Sequence, residues 1–424
     1  MNASKSLLKL KLRNTTPLLV GWYDSRIQDP MGIRITEIKG IWRWWCRAFI
    51  AGAMYDMNML SGKHDENIYL IPTDEEAEAI SYFVGKILGL GYAGKKSAES
   101  SRFKLFIQTD SSLKHKEFQK EDTKYQRIKL LALKNPVEGI DHGHTFTLSV
   151  EKVREKYRDA EDLALKILVV SLQLNGLGKG GRRGLGSLDI IEPRDIIDCN
   201  NIECFIKHIY DESINIVKKY QEICEAKNIK KDPSKRLPPL PVVSKNVINK
   251  LNIFKLYRVN VTNIRSFIDI HQFFVRTERC RVLYSKKVCY DELRKTYNAW
   301  FLGLPREQKG TGYIISVERV VRRPSPIFIT YHESNNIFGS GVFISIFLSG
   351  DWPKNLEWKG VLRKTEQNKE KEIKKLEERE GKEQPIETIN IDEKKIIEAY
   401  ETFIKEFKEY LNRKRLTLQE IKWY

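Results

Sequence analysis

The order in which strand-like and helix-like patterns follow one another constrains the fold of this chain more than any other feature. Apolar and basic residues alternate within residues 7–20, which predicts a half-buried strand. Thr36 and Glu37 suit the start of a helix, and helical spacing then runs to about Met57. Later patterns predict a strand, a strand, a helix and a strand at residues 102–109, 144–150, 161–174 and 185–191. Strand, helix, strand, strand, helix, strand is the element order of a ferredoxin-like (RRM-like) fold.

The pattern restarts in the second half of the chain. A proline-rich connector at residues 233–241 precedes four strand patterns and a helix pattern, at residues 254–261, 314–321, 326–332, 341–348 and 391–411. At about 100–200 residues per domain, a chain of 424 residues has room for two or three.

The sequence therefore predicts an α+β protein with two ferredoxin-like domains in tandem and helical insertions. The first domain is expected at residues 1–195, and a helical segment with the connector at residues 196–250. The second domain is expected at residues 251–424, with an almost wholly charged insertion at about 359–385 and a C-terminal helix.

The charge balance favours a polyanionic partner. Lysines and arginines number 74 against 56 aspartates and glutamates, which gives a formal net charge of +18. A solvated, lysine-rich surface explains the same excess, so the charge alone does not decide between the two.

Two classes of protein are not expected from the sequence. It has no stretch of about 20 apolar residues, and basic residues interrupt the apolar ones near the N-terminus, so we expect neither a membrane span nor a signal peptide. The six cysteines form no CxxC pair, and the closest two, Cys199 and Cys204, have no second pair at zinc-ligand spacing. We therefore expect a cytoplasmic protein with free thiols, no metal and no other cofactor.

The helix that starts near Thr36 carries two stripes of side chains. Lys39, Arg43 and Arg47 follow one another at four-residue steps on one face. Like charges at this spacing repel, and a bound anion would relieve the repulsion, although a solvated basic face is the simpler alternative. The apolar stripe, which is expected to face the core, consists of Ile38, Trp42, Trp45 and Phe49.

A glycine-rich loop, residues 175–188 (NGLGKGGRRGLGSL), separates the second helix pattern from the last strand pattern of the first unit. Glycine lets the backbone approach a phosphate, and basic side chains add charge and forked hydrogen bonds. A P-loop or dinucleotide-binding loop has the reverse order, strand then helix, so an RNA backbone is the better interpretation. The expected contacts are Gly178, Lys179, Gly180, Gly181, Arg182, Arg183, Gly184 and Gly186.

We expect the basic helix and the glycine-rich loop to lie side by side. Both helices of a ferredoxin-like fold cover one side of the sheet, so Lys39, Arg43 or Arg47 should face the loop cations across a groove. Those cations stand among glycines, so we expect them to have few side-chain neighbours and to matter little for folding. An exposed Trp44 or Tyr23 is expected to stack on a base.

These features together resemble the RAMP superfamily of CRISPR-associated proteins. Residues 301–305 (FLGLP) and 322–326 (RRPSP) are similar to the second half of the first-named subunit of Cmr (type III-B) effector complexes. In the first half, besides the glycine-rich loop, the resemblance lies in Thr16, Pro17, Leu18, Arg34, Ile38, Lys39, Gly40, Arg43 and Trp45.

The resemblance implies a binding role rather than a reaction. It implies a non-catalytic, RNA-binding subunit of a Cmr ribonucleoprotein that contacts the 3′ portion of the guide RNA, the target RNA or both. Such a subunit assists target RNA capture in antiviral defence, and its partners are these RNAs and the other Cmr subunits. No small-molecule substrate is implied. Arg34 joins Lys39, Arg43 and Arg47 as an implied RNA contact.

Two other functions stay open. Asp141, His142 and His144 are candidates for acid–base cleavage of RNA, as in metal-independent ribonucleases of the same superfamily, but structural hydrogen bonds are the simpler role for them. The other alternative is a scaffold that contacts only protein subunits. RNA cleavage by the isolated chain would favour the first. Weak RNA binding that is indifferent to the glycine-rich loop would favour the second.

Overall fold

A computed structural model gives the structure of the protein. It describes residues 7–94, 97–109, 113–193, 199, 201–223, 229, 236–261, 263–275, 298–308, 311–317, 320, 322–359 and 386–424. The charged insertion expected at about 359–385 lies outside these residues apart from its first position, and so do residues 233–235 of the connector. No helix in these ranges is long and apolar enough to cross a membrane.

Seven α-helices occur in the described part of the chain. They are α1 (Ile35–Asp56), α2 (Asp74–Tyr82), α3 (Gln126–Leu131), α4 (Arg158–Leu174), α5 (Ile202–Tyr220), α6 (Ile264–Phe274) and α7 (Glu393–Arg413). Asn201, Asn263 and Asp392 cap α5, α6 and α7, since each side chain accepts the N–H three residues later. The first helix begins at Ile35, one residue before the expected start, without a side-chain cap.

Most strands are short, and all of those paired in the described ranges are antiparallel. The first nine are β1 (Leu8–Asn14), β2 (Tyr92–Ala93), β3 (Ala98–Glu99), β4 (Phe103–Thr109), β5 (His115–Phe118), β6 (Val137–Ile140), β7 (Thr145–Lys152), β8 (Leu188–Glu192) and β9 (Val247–Ile248). The others are β10 (Leu251–Asn252), β11 (Phe254–Val259), β12 (Arg306–Gln308), β13 (Thr311–Ile315), β14 (Ile327–His332), β15 (Gly341–Phe347), β16 (Asn355–Lys359), β17 (Ile386–Asn390) and β18 (Leu418–Ile421). The expected α+β class is confirmed.

Two of the sheets have four strands arranged in the same way. The first has the order β4-β7-β1-β8, and the second has the order β14-β15-β11-β18. In each, the strand that comes first along the chain lies between the third and the fourth, and the second lies at the edge. Their main helices are α1 and α4 in the first half, and α6 and α7 in the second. A third sheet, β12-β13-β16-β17, was not expected from the sequence.

The two halves share one hydrophobic core around α1. Trp42 and Trp45 of this helix are fully buried. The Trp42 ring centroid lies 5.2 Å from that of Phe103 in the first sheet. The Trp45 centroid lies 5.9 Å and 5.6 Å from those of Phe328 and Phe347 in the second sheet. The first helix therefore packs between the sheets, and the glycine-rich loop, at the end of α4, lies beside this junction.

Candidate functional site

The fold of the glycine-rich loop itself requires its glycines. Gly178 and Gly186 have φ angles of +75° and +63°, in the left-handed region that favours glycine. A Cβ atom on Gly178 would clash with the carbonyl oxygen of Leu19, and one on Gly186 would clash with that of Leu177. The abundance of glycine is thus explained by close backbone packing, whatever the loop binds.

Most N–H groups of the loop are hydrogen-bonded within the protein. The Lys179 N–H donates to the Leu19 carbonyl at 2.8 Å, and the Gly178 N–H donates to the Glu37 carboxylate. The expectation that these N–H groups point at a phosphate is wrong, because oxygen atoms of the protein already accept their hydrogen bonds. The other N–H groups that donate in this way belong to Gly176, Leu177, Gly181, Arg183, Gly184, Leu185, Gly186 and Ser187.

Arg182 reaches from the loop into the second half of the protein. Its Nη1 donates to the carbonyl of Ser325 at 2.6 Å. Its guanidinium carbon lies 4.5 Å from the ring centroid of Phe328 and 5.5 Å from that of Trp44, within cation–π range. Burial, together with the charge of Arg323, lowers the pKa of Arg182 to about 10, so it stays charged at neutral pH.

Arg183 is held in the same junction by both its backbone and its side chain. Its Nη2 donates to the carbonyl of Leu302, and its carbonyl lies 2.7 Å from Nδ1 of His271. Burial lowers its pKa well below the usual value, and Arg306 and Arg127 add to the effect. Its Nη1 is buried without a hydrogen-bond partner among the described residues.

The loop cations therefore differ from what the sequence led us to expect. Arg182 and Arg183 are half-buried and have aromatic and carbonyl neighbours in the second half, so the expectation of few neighbours is wrong for both. Lys179 lies on the other side of the loop. Its Nζ is 3.0 Å from the point where a Cβ on Gly21 would be. Lys179 thus faces the segment after β1 rather than the second half.

The loop forms one wall of a cleft between the two halves, with a volume of about 970 Å³. The opposite wall comes from the second half, at residues 274–275, 302–306 and 322–325, and α1 and α3 complete the lining. Its apolar lining consists of Ile41, Trp44, Leu130, Leu133, Phe274, Val275, Leu302, Leu304, Pro305 and Pro324. The cleft thus combines apolar surface with polar groups from both halves.

The cleft is strongly positive. Among the described residues, six arginines and one carboxylate line it. The carboxylate is Glu37, whose pKa burial raises in spite of the hydrogen bond from Gly178. One arginine, Arg323, is neutralised by Asp351 at 2.7 Å. The arginines are Arg127, Arg182, Arg183, Arg306, Arg322 and Arg323. Such a site suits a ligand that carries several negative charges and an apolar or aromatic part.

The basic stripe of α1 does not line the cleft. Arg43 donates instead to the carbonyls of Leu90 and Gly91. Arg47 is exposed and Lys39 half-exposed, and both are absent from the lining. The helix and the loop are adjacent, as expected, but they meet through Glu37. The expectation that the three cations face the loop across a groove is wrong, because a different face of α1, with Glu37, Gly40 and Trp44, is turned toward the cleft.

Arg34 and the two aromatic candidates also have defined surroundings. Arg34, at the start of α1, forms an ion pair with Asp29. Trp44 is half-buried, with its ring centroid 4.6 Å from that of Phe328, so the expectation of an exposed Trp44 is wrong. Tyr23 is exposed, as the sequence indicated. Of the two, only Tyr23 is exposed.

The histidine pair before β7 is not arranged as an acid–base pair on a strand. His142 lies in an exposed turn, and its Nδ1 is 2.9 Å from the Asp141 carboxylate. His144 is half-buried, and its N–H donates to Asn14 at 2.9 Å. Neither lines the cleft. Within the described ranges, no cluster of His, Cys, Asp and Glu has the geometry of a metal site.

Four cleft arginines were not among the candidates from the sequence. Arg322 and Arg323 belong to the RRPSP run, which served only as a point of resemblance. Arg306 follows the FLGLP run, and Arg127 lies in the short helix α3. Only the spatial approach of the two halves brings these side chains to the loop, so no spacing in the sequence could have indicated them.

Comparisons with known proteins agree with the sequence resemblance. Residues 11–189 match the model of the RAMP superfamily. This region includes β1, α1, α4 and the glycine-rich loop, so the resemblance to that superfamily is confirmed there. No curated protein matches the sequence.

Several solved structures are similar to the chain. Cmr1 from Pyrococcus furiosus in its apo form is 15% identical over 97% of this chain and 98% of that chain, with a TM-score of 0.47. A chain of Type III-B Cmr-beta bound to cognate target RNA is 17% identical over 81% of this chain and 94% of that chain, with a TM-score of 0.47. A chain of a second Cmr-beta structure, bound to cognate target RNA and AMPPnP in the presence of ssDNA, is 19% identical over 82% of this chain and 96% of that chain, with a TM-score of 0.48.

Proposed function

We propose that this chain is a non-catalytic RNA-binding subunit of a type III-B CRISPR (Cmr) ribonucleoprotein, and that single-stranded RNA occupies the cleft between its halves. The observation that carries the proposal is the charge of the cleft, with six arginines and one glutamate among the described lining residues. The RAMP match at residues 11–189 covers the loop that forms one wall and supports RNA as the ligand.

The lining is suited to unpaired rather than duplex RNA. A cleft of about 970 Å³ is the size of a small-ligand pocket, with room for a nucleotide or two but not for a helix. Arginine side chains pair with phosphates, and the apolar surface from Leu130, Leu133 and Phe274 suits an unstacked base. We assign the occupant to the 3′ portion of the guide RNA, the target RNA or both, with target RNA capture in antiviral defence as the role.

The same proposal includes the tandem architecture and the partners. The equivalent strand orders of the two main sheets support two ferredoxin-like units, at residues 1–195 and 251–424, joined by residues 196–250. Other Cmr subunits are the protein partners. Arg34, Lys39, Arg43 and Arg47 are proposed as contacts outside the cleft, and of these Arg47 is the most accessible.

The test is affinity for single-stranded RNA as a function of salt. Arg322 and Arg127 line the cleft from opposite halves, so we expect the double variant R127A/R322A to bind RNA more weakly. Each lost phosphate contact lowers the slope of log affinity against log salt by about 0.7, so the slope should fall by about 1.4. The matched control is R158A, at the opposite end of α4 from the loop, which should leave the slope unchanged.

The same assay separates the alternatives. A wild-type chain that fails to bind RNA, or a double variant with an unchanged slope, would contradict the proposal and favour the protein-only scaffold. Labelled RNA should stay intact with the isolated chain. Cleavage that is lost on His142→Ala or His144→Ala would favour the endoribonuclease instead.

A further inference from the structure

The segment that follows β1 carries the two most exposed large apolar side chains of the described surface, Tyr23 and Met31, and the exposed ring of Trp22. Tyr23 is 77% exposed, Met31 76% and Trp22 51%. All three belong to residues 21–31, which we call the aromatic loop. The unfavourable free energy of exposing two aromatic rings to water grows with their exposed area, so such a patch indicates a binding surface.

The aromatic loop is held firmly by hydrogen bonds. The Trp22 N–H donates to the Ile27 carbonyl at 3.0 Å, and the Asp29 N–H donates to the Val20 carbonyl at 2.7 Å. The Gln28 side chain accepts the Val20 N–H at 3.0 Å. Because the backbone is fixed in advance, a ligand that covers the rings does not have to order it.

The two rings are oriented so that flat ligands can reach them. The centroids of Trp22 and Tyr23 lie 5.0 Å apart with an angle of 63° between the ring planes, an edge-to-face arrangement. In this arrangement the rings do not cover one another face to face, so at least one ring face is open to a planar group. Nucleobases stack on such faces whatever their identity.

Lys179 places a positive charge beside the aromatic loop, close to the cleft. Lys179 lies against Gly21, the first residue of the loop, while its chain neighbours Gly178 and Gly180 line the cleft. Asp24 of the same loop accepts two hydrogen bonds from the Arg26 side chain, the shorter at 2.8 Å, and is neutralised by it. The surface around the rings thus favours an anionic partner over a cationic or purely apolar one.

We propose that Trp22 and Tyr23 form a base-stacking site for single-stranded RNA, with Lys179 contacting the phosphate that joins the stacked base to the nucleotide in the cleft. The inference rests on the proposed function, since it assigns the path of the strand as it leaves the cleft. It also gives Lys179 a role that its orientation, away from the second half, otherwise leaves unexplained.

The test combines affinity with a probe that reports stacking. The full-length chain and the variant W22A/Y23A are titrated with single-stranded RNA that carries 2-aminopurine, whose fluorescence falls when it stacks on an aromatic ring. We expect the variant to lose about 5- to 150-fold in affinity for each stacked base, with the salt slope unchanged. Quenching at the loop should disappear even when the variant is saturated with RNA.

Two controls isolate the contribution of the rings. Y424A removes an exposed aromatic side chain elsewhere on the protein and should bind like the wild type. An abasic ribose-phosphate oligomer should bind the wild type and W22A/Y23A equally, because it has no base to stack. Circular dichroism checks that each variant is folded.

The outcomes distinguish this inference from the proposed function. If the wild type binds RNA with the expected salt slope and W22A/Y23A binds it equally well, the stacking site is excluded while the cleft proposal stands. If W22A/Y23A binds RNA like the wild type but fails to assemble with purified Cmr subunits, the aromatic loop is a protein-docking surface. If the wild type does not bind single-stranded RNA, both proposals fail together.

Discussion

His271 shows how a single buried side chain connects the two halves of the protein. It lies in α6, its Nδ1 is 2.7 Å from the Arg183 carbonyl, and its Nε2 accepts the Arg127 N–H at 3.2 Å. Only a neutral imidazole with the proton on Nδ1 makes both hydrogen bonds. Burial, reinforced by the charges of Arg183 and Arg127, lowers the pKa of His271 to about 4.

This depressed pKa predicts a pH dependence of stability. Between about pH 6.5 and pH 4 the unfolded chain binds a proton at His271 and the folded chain does not, so acidification favours unfolding. We expect the free energy of unfolding to fall by about 3 kcal/mol across this window through His271. Denaturant unfolding at several pH values measures it. The H271Q variant should lose this part of the slope, and an unchanged slope would contradict the assignment.

At the scale of elements, the glycine-rich loop is a structural joint as much as a binding loop. Gly186 has a φ of +63°, and its N–H donates to the Pro17 carbonyl at 2.9 Å. Gly184 faces the Phe267 ring of the second half. A side chain at Gly186 would clash with Leu177 within the loop, and one at Gly184 would force the loop away from α6. The cleft arginines would then lose their positions even though none of them had been changed.

Two glycine substitutions should accordingly have opposite effects on stability. G186A places a Cβ against the Leu177 carbonyl in a left-handed conformation, so we expect a loss of at least about 2 kcal/mol. G40A, in the interior of α1, meets no atom within 4 Å and should gain up to about 1 kcal/mol from helix propensity. Chemical unfolding of both variants measures the difference. Equal changes in the free energy of unfolding would mean that a side chain at position 186 does not strain the loop.

The elements also show what could be predicted from the sequence. Hydrophobic periodicity identified the strands and main helices of the first sheet, since it reports local burial, although α1 was misplaced by one residue at its start. In the second half it identified β11, β14, β15 and α7 but missed α6 and the edge strand β18. The role of the glycines could not be read in the same way. A glycine whose N–H donates to a phosphate and one whose N–H donates to a carbonyl, as those of Gly181 and Gly186 do, look identical in sequence. The cleft depends on contacts between residues more than 100 positions apart, such as Arg182 with Ser325.

At the scale of the whole molecule, the halves are joined along their length. The Leu70 N–H donates to the Gly350 carbonyl at 3.0 Å, and the Tyr69 N–H donates to the Trp352 carbonyl at 2.8 Å. Buried His332 lies 2.9 Å from the carboxylate of Asp189 in the first sheet. These contacts, together with the tryptophans of α1, hold the two walls of the cleft at a fixed separation. A rigid cleft binds RNA without the cost of closing around it.

Such an interface predicts that the two sheet units, although alike in topology, unfold as one. Without the second half, Trp45 would lose its contacts with Phe328 and Phe347, and Asp189 would lose His332. We therefore expect a single calorimetric transition for the full chain, with calorimetric and van't Hoff enthalpies equal. We also expect a fragment of residues 1–195 to lack a cooperative transition when produced alone, and to recover one when residues 196–424 are added. Two separate transitions in the full chain, or a stably folded fragment 1–195, would mean that the halves are independent domains whose cleft can open and close.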